Sequence, residues 1–190
     1  TQHTNGRTPL YYGCQRNDWA MVRFLLEHGA DHSIPSEDGF FPVHSAALNN
    51  SSDVIQVLAE FHINLDLLTR DGHSPLFLAA QWDHVEVIRA LLFHGAHPDA
   101  RGRGGFTPLM EGISFQSSRA VDILIGSGAS LGIPRGINYG PLYLAVKKKN
   151  AAMVASLLEA GVDINMKTKI EGWTPLMRAA YDNNVEIARL

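Results

Sequence analysis

Proline recurs along the chain as Pro9, Pro42, Pro75, Pro108, Pro141 and Pro175, at intervals of 33, 33, 33, 33 and 34 residues. Self-similarity at a fixed period of this size restricts the fold to an array in which one supersecondary unit stacks on the next. A unit this short cannot bury its own apolar face, so its stability has to come from its neighbours. An aliphatic residue follows each proline, in order Leu10, Val43, Leu76, Leu109, Leu142 and Leu176. Six copies fill the chain, with boundaries near 1–35, 36–68, 69–101, 102–134, 135–168 and 169–190.

Each copy reads as a turn followed by two helices. Three residues before the prolines stand Gly6, Gly39, Gly72, Gly105, Asn138 and Gly172, residue types that tolerate positive φ, so a hairpin-like turn is expected there. Proline suits the first turn of a helix, where its missing N–H costs nothing. Four residues later only Gly13, Ala46, Ala79, Gly112, Ala145 and Ala179 occur, which implies close approach of a neighbouring helix. Asn17, Asn50, Asp83, Gln116, Lys149 and Asn183 break the first helix. Asp18, Ser51, Ser117 and Asn150 come next and are good N-caps for a second one. Its apolar positions recur at helical spacing, as in Met21, Val22, Leu25 and Leu26, or Val87, Ile88, Leu91 and Leu92. Gly29, Gly95, Gly128 and Gly161 are expected to close it, with His62 in that place in the second copy.

A turn and two antiparallel helices in this period, opened by segments such as Gly6-Arg7-Thr8-Pro9-Leu10 and Gly172-Trp173-Thr174-Pro175-Leu176, resemble the ankyrin repeat across the whole chain. The fold implied is an all-α solenoid with hairpin-like turns, one domain over 1–190. The family's threonine persists as Thr8, Thr107 and Thr174, and its histidine two residues after proline only as His44. Phe41 stands where that copy should carry threonine, so no repeat makes the family's Thr–His hydrogen bond, and an array less stable than the consensus is expected. The sixth copy stops at Leu190, before the apolar pair and glycine that would finish it, and the first begins within its turn. Neither supplies a polar outer face, so a segment of a longer array is expected.

Composition narrows the function classes. Sixteen basic against nineteen acidic residues give a net charge of -3, too little positive charge for generic nucleic-acid affinity. The single Cys14 excludes an internal disulfide framework, and a reducing intracellular location, cytoplasmic or nuclear, is expected. No apolar run reaches the roughly 20 residues that a membrane helix needs. Cys14 falls where Ala47, Ala80 and Ala180 sit in other copies, so it reads as an inert packed thiol. Gly102-Arg103-Gly104-Gly105 lacks the Lys-Ser/Thr of a phosphate loop and reads as the fourth turn. His28 with His32, and His94 with His97, are poor metal pairs without a placed carboxylate or thiolate, so neither a metal nor another cofactor is expected. Asn49 and Asn50 match glycosylation sequons, but the repeat itself asks for asparagine and serine at that turn.

The resemblance implies a non-enzymatic protein-binding scaffold, monomeric, whose turn tips and first helices line a concave groove. It places Arg7, Phe40, His73, Phe106, Tyr139 and Trp173 at the tips and Gln15, Leu48, Gln81, Ser114, Lys147 and Tyr181 on the helices. Lys147, Lys148 and Lys149, with Lys167 and Lys169 in the loop that holds the inserted residue, form either a solvated face or a docking site for an acidic partner. Phe40, Phe106, Tyr139 and Trp173 form either a stiffened row of tips or a ladder of anchors at roughly 10 Å intervals. Asn165, with Asp163 and Leu157, resembles a site of asparaginyl hydroxylation in some ankyrin repeats. The rival reading makes the array the targeting or regulatory arm of a larger enzyme whose catalytic domain lies elsewhere.

Overall fold

The computed structural model describes residues 5–190. The inner helices are α1 (Pro9–Gln15), α3 (Pro42–Leu48), α5 (Pro75–Gln81), α7 (Pro108–Phe115), α9 (Pro141–Lys147) and α11 (Pro175–Tyr181). The outer helices are α2 (Trp19–Glu27), α4 (Ser52–Glu60), α6 (Val85–Phe93), α8 (Ser118–Gly126), α10 (Ala151–Glu159) and α12 (Val185–Arg189). Each inner helix packs on its own outer helix and on the inner helices of the adjoining repeats. No β-strand forms among the described residues.

Every inner helix starts at its proline, as the fixed φ of that residue favours. Thr8, Ser74, Thr107 and Thr174 cap four of them by accepting the N–H three residues on. The six helix breakers all adopt left-handed backbone, with φ from 52° at Asn183 to 60° at Gln116. This kink turns the chain back on itself, so the outer helix runs antiparallel against the small residues. A Cβ on Gly13 would meet Val22 Cγ2 at 3.0 Å, and one on Gly112 would meet Val121 Cγ2 at 3.2 Å. The expected close approach is therefore that of the repeat's own outer helix. The outer helices end on left-handed Gly29, Gly95, Gly128 and Gly161, and on His62 at φ 56°.

Four turns share a backbone hydrogen bond across their ends: Ser36 N–H to Phe40 O, Thr69 to His73, Gly102 to Phe106 and Thr168 to Trp173. The fifth departs from expectation. Asn138 is not left-handed; Gly136 takes that conformation, at φ 87°, because Ile137 N–H closes a turn onto Pro134 O instead. Asn138 is thereby freed to face the sixth turn. That turn carries the inserted residue: Gly172 N–H reaches back four residues to Thr168 O, where Gly39 reaches back three to Ser36 O. The extra length pushes Ile170 out to 80% exposure.

The core is a continuous column from Leu10 to Ile187 along the stack. Position alone does not decide burial. Leu109 is wholly buried, yet Leu176, at the same place in the sixth repeat, is 60% exposed because no described repeat covers it. Met21 is exposed for the same reason at the other end.

Polar bonds add to this column at most junctions. Between repeats one and two, Asn17 Oδ1 accepts Val54 N–H at 3.4 Å and Arg23 pairs with Glu60. Between two and three, His84 bonds to Leu48 O at 3.1 Å, and Asp66 accepts His97 N–H at 3.1 Å. Between three and four, Asp83 takes Ala120 N–H at 2.7 Å and Arg119 Nε at 2.8 Å, and Asp99 takes Ser130 N–H at 2.9 Å. Between five and six, Asn138 accepts from Lys169 N–H and Ile170 N–H and donates to Glu171, each at 2.7 Å. At the junction of four and five the described residues supply one hydrogen bond, from Arg101 Nη1 at the entry to the fourth turn to Arg135 O at the entry to the fifth, at 3.1 Å. The sequence explains the gap: Gln116 stands where Asn17 and Asp83 act, and Gly132 where Asp66 and Asp99 act.

Candidate functional site

The tip residue lies two places before the proline, on extended backbone that leads into the inner helix. The tip rings are half-buried rather than fully displayed, and those of Phe40, His73 and Tyr139 meet the residue four places on, one turn into that helix. Phe40 lies edge-on to His44 at 6.0 Å between ring centroids, His73 stacks on Phe77 at 5.0 Å, and Tyr139 lies over Tyr143 at 5.6 Å. Trp173 packs edge-on against Tyr181 at 5.3 Å. Phe106 and Tyr139 of adjacent repeats touch edge-to-face at 6.3 Å, closer than the roughly 10 Å set by helix packing. Phe40, Tyr139 and Trp173 thus rest on their own inner helices, and Phe106 rests on the next tip. Being half-buried, these rings keep part of their surface exposed at the turn-tip face.

Gln15, Leu48, Gln81 and Ser114 are half-buried along that face, and Lys147 and Tyr181 are exposed. Lys147 Nζ sits 5.5 Å from the Tyr139 ring centroid, so its charge is partly engaged by the aromatic face. Lys148 and Lys149 are exposed, and Lys169 Nζ bonds to Pro134 O at 3.0 Å. Arg7 has its guanidinium 5.1 Å from the Tyr11 ring centroid.

Sequence reasoning passed over four further residues. Trp82 and Phe115 occupy the same place at the ends of α5 and α7 and are 57% and 54% exposed on consecutive repeats. The signal was their shared position, one residue beyond Gln81 and Ser114. Ile170 is the third. The fourth is Glu111, buried at a place filled by Leu78 and Leu144 in the flanking repeats. Burial pushes its carboxyl above the usual carboxylate range, with the nearby charge of Lys148 opposing.

His44 is fully enclosed. Its Nδ1 accepts Phe41 N–H at 3.2 Å, and its Nε2–H donates to Leu67 O at 2.9 Å and His73 O at 3.1 Å. The missing threonine hydroxyl is therefore replaced by a backbone amide, and the imidazole still bridges two repeats. Burial pushes its pKa down to about 4. Cys14 is wholly buried, and desolvation raises its thiol far above the ordinary range, which leaves no nucleophilic thiolate. Among the described residues no three His, Cys, Asp or Glu side chains are grouped as metal ligands. His28 Nδ1–H donates to Phe24 O at 2.8 Å, and His97 Nδ1 accepts Asp99 N–H at 3.1 Å. Asn165 is exposed, and its N–H is taken by Asp163. No helix among the described residues is long and apolar enough to cross a membrane.

The family model described as ankyrin repeats (3 copies) matches residues 1–67, 44–135 and 109–190, which together span the chain. The chain belongs to the ankyrin repeat family. An ankyrin repeat protein of fowlpox virus (strain NVSL) is 39% identical over 49 residues, 26% of this chain and only 14% of that protein. Among solved structures, the ankyrin repeat domain of Bcl-3, a member of the IkappaB protein family, superposes with TM-score 0.89 at 23% identity, over 97% of this chain and 85% of that one. The human ASB11 ankyrin repeat domain gives 0.84 at 25% identity, over 99% and 84%. An ankyrin repeat domain from Acinetobacter baumannii AYE gives 0.84 at 24%, over 95% and 94%. Ankyrin repeat domains are in general protein–protein interaction modules, and the fold is typically non-catalytic.

Proposed function

We propose that this ankyrin array is a non-enzymatic scaffold that binds a protein partner along the face formed by its turn tips and inner-helix ends. The observation that carries the reading is the set of half-buried aromatic tips Phe40, Phe106, Tyr139 and Trp173, two of which touch, together with exposed Trp82 and Phe115 at the ends of inner helices. Aromatic side chains of this kind supply most of the energy of protein interfaces, because each buries a large area at small conformational cost. His73, Gln81 and Tyr181 add polar contacts, and Lys147 and Lys148 add a cationic rim that would speed association with an acidic surface.

The test replaces Phe106, Tyr139 and Trp173 by alanine, singly and together, and compares each variant with the parent as bait in affinity capture. Each truncation is expected to weaken the captured complex by about 2 kcal/mol, roughly thirtyfold. Affinity lost at an unchanged melting temperature supports the reading. Affinity retained while melting falls assigns the rings to the fold and removes the proposed surface.

A further inference from the structure

Between the third and fourth repeats the same face opens into a cavity of about 360 Å³ lined by His73, Phe77, Gln81, Gly104, Phe106 and Glu111. Its composition is unlike the rest of the groove. His73 and Phe77 form one wall, their rings nearly parallel at 4°. Phe106 lines the cavity from the fourth turn, and Glu111 lines it from α7.

The cavity depends on one substitution in the repeat. The other turns that share this bond across their ends open on Ser36, Thr69 and Thr168, whereas this one opens on Gly102. A Cβ there would fall 2.2 Å from the Phe77 ring, so glycine is what lets that ring lie against the turn. Glu111 is the second anomaly. It is 9% exposed, no hydrogen bond or close ion pair engages its carboxylate among the described residues, and the only charge acting on it there is that of Lys148. A carboxylate largely withdrawn from water without a close partner is costly, and the equivalent places hold Leu78 and Leu144, so the fold does not need a carboxylate there. Aromatic faces beside a carboxylate suit a cation, and a planar guanidinium both stacks on rings and bonds a carboxylate through two N–H groups.

We propose that this cavity receives an arginine side chain of the partner protein, with its guanidinium on Glu111 and its faces against Phe106 and the His73–Phe77 pair. The inference rests on the groove reading above and specifies the chemistry of one contact within it.

The experiment titrates the ¹⁵N-labelled chain with Nα-acetyl-arginine methylamide and, separately, with the lysine and norleucine analogues. Saturable shifts confined to the amides of Gln81, Gly104, Phe106 and Glu111, with millimolar affinity for the arginine probe and none for norleucine, are the expected result. Glu111→Gln should weaken that binding by about tenfold or more. Glu111→Leu, matching the flanking repeats, should abolish it while keeping the fold. The proposal is overturned if the arginine probe gives no localised shifts, if norleucine or lysine matches it, or if Glu111→Gln binds as the parent does. Tip variants that lose the partner while the probe fails to bind would sink this inference and leave the groove. Probe binding with tip variants that keep the partner would do the reverse.

Discussion

His44 makes the junction of repeats two and three acid-sensitive, and the size of the effect follows from its surroundings. The side chain is wholly buried, and both ring nitrogens are committed in the neutral form, with Nδ1 accepting from Phe41 and Nε2–H donating to Leu67 and His73 carbonyls. A second ring proton would displace the Phe41 bond and charge an enclosed site, and burial accordingly lowers the pKa from 6.5 to about 4. Below the ordinary histidine range the unfolded chain takes up a proton that the folded chain refuses. The contribution of His44 is therefore fully present above about pH 6.5 and is lost as pH falls toward about 4. At about 1.36 kcal/mol per pH unit, that interval amounts to about 3 kcal/mol. The comparison is with His44→Gln, which does not titrate, by urea unfolding followed by far-ultraviolet circular dichroism across the interval. The stability advantage of the parent should shrink on acidification by about 3 kcal/mol. Parallel pH profiles for parent and variant would refute the reasoning, because the other histidines are common to both.

Glu111→Leu should stabilise the array at neutral pH by roughly 1 to 3 kcal/mol, since it removes a largely desolvated carboxylate from a place that holds buried leucine in both flanking repeats. The gain should diminish as pH falls, because protonation relieves the parent of the same charge; thermal melting at two pH values checks both signs. Leu109→Ala should cost about 2 to 5 kcal/mol and Leu176→Ala no more than about 0.5 kcal/mol, although the two leucines hold one place in the repeat. Equal urea midpoints for those two variants would contradict the neighbour-only packing of the stack.

The parts of the structure legible in the sequence were those repeated in every copy. Asn17, Asp83 and Lys149 differ in chemistry but share a spacing from proline, and the spacing identified the kink that all three adopt. Single-copy features were harder to read. Gly136 took over the left-handed place expected of Asn138 because Pro134 two residues earlier starts its own turn, a local effect that alignment to the period hides. The inward lean of the tip rings arises from contacts between residues four or eight apart, such as His73 with Phe77 and Trp173 with Tyr181, and depends on rotamers that spacing does not encode. Trp82 and Phe115 were missed because a large apolar residue at a helix end ordinarily signals core. Glu111 was visible as an acid at a leucine position, but its enclosure needed Phe77, Phe106 and the fourth turn in place.

The uneven distribution of polar bonds along the stack has a mechanical consequence. Repeats joined only to their neighbours are links in series, so a load applied to the two ends passes through every junction and the array yields where resistance is least. Asparagine, aspartate, histidine and arginine side chains tie the other junctions, whereas Gln116 and Gly132 leave the fourth and fifth repeats joined by apolar packing and the Arg101 bond. Under tension the molecule behaves as a rod of four repeats and a rod of two with a compliant joint between them. The Phe106–Tyr139 ring pair spans that joint, so bending there changes the spacing of two neighbouring contacts on the proposed binding face.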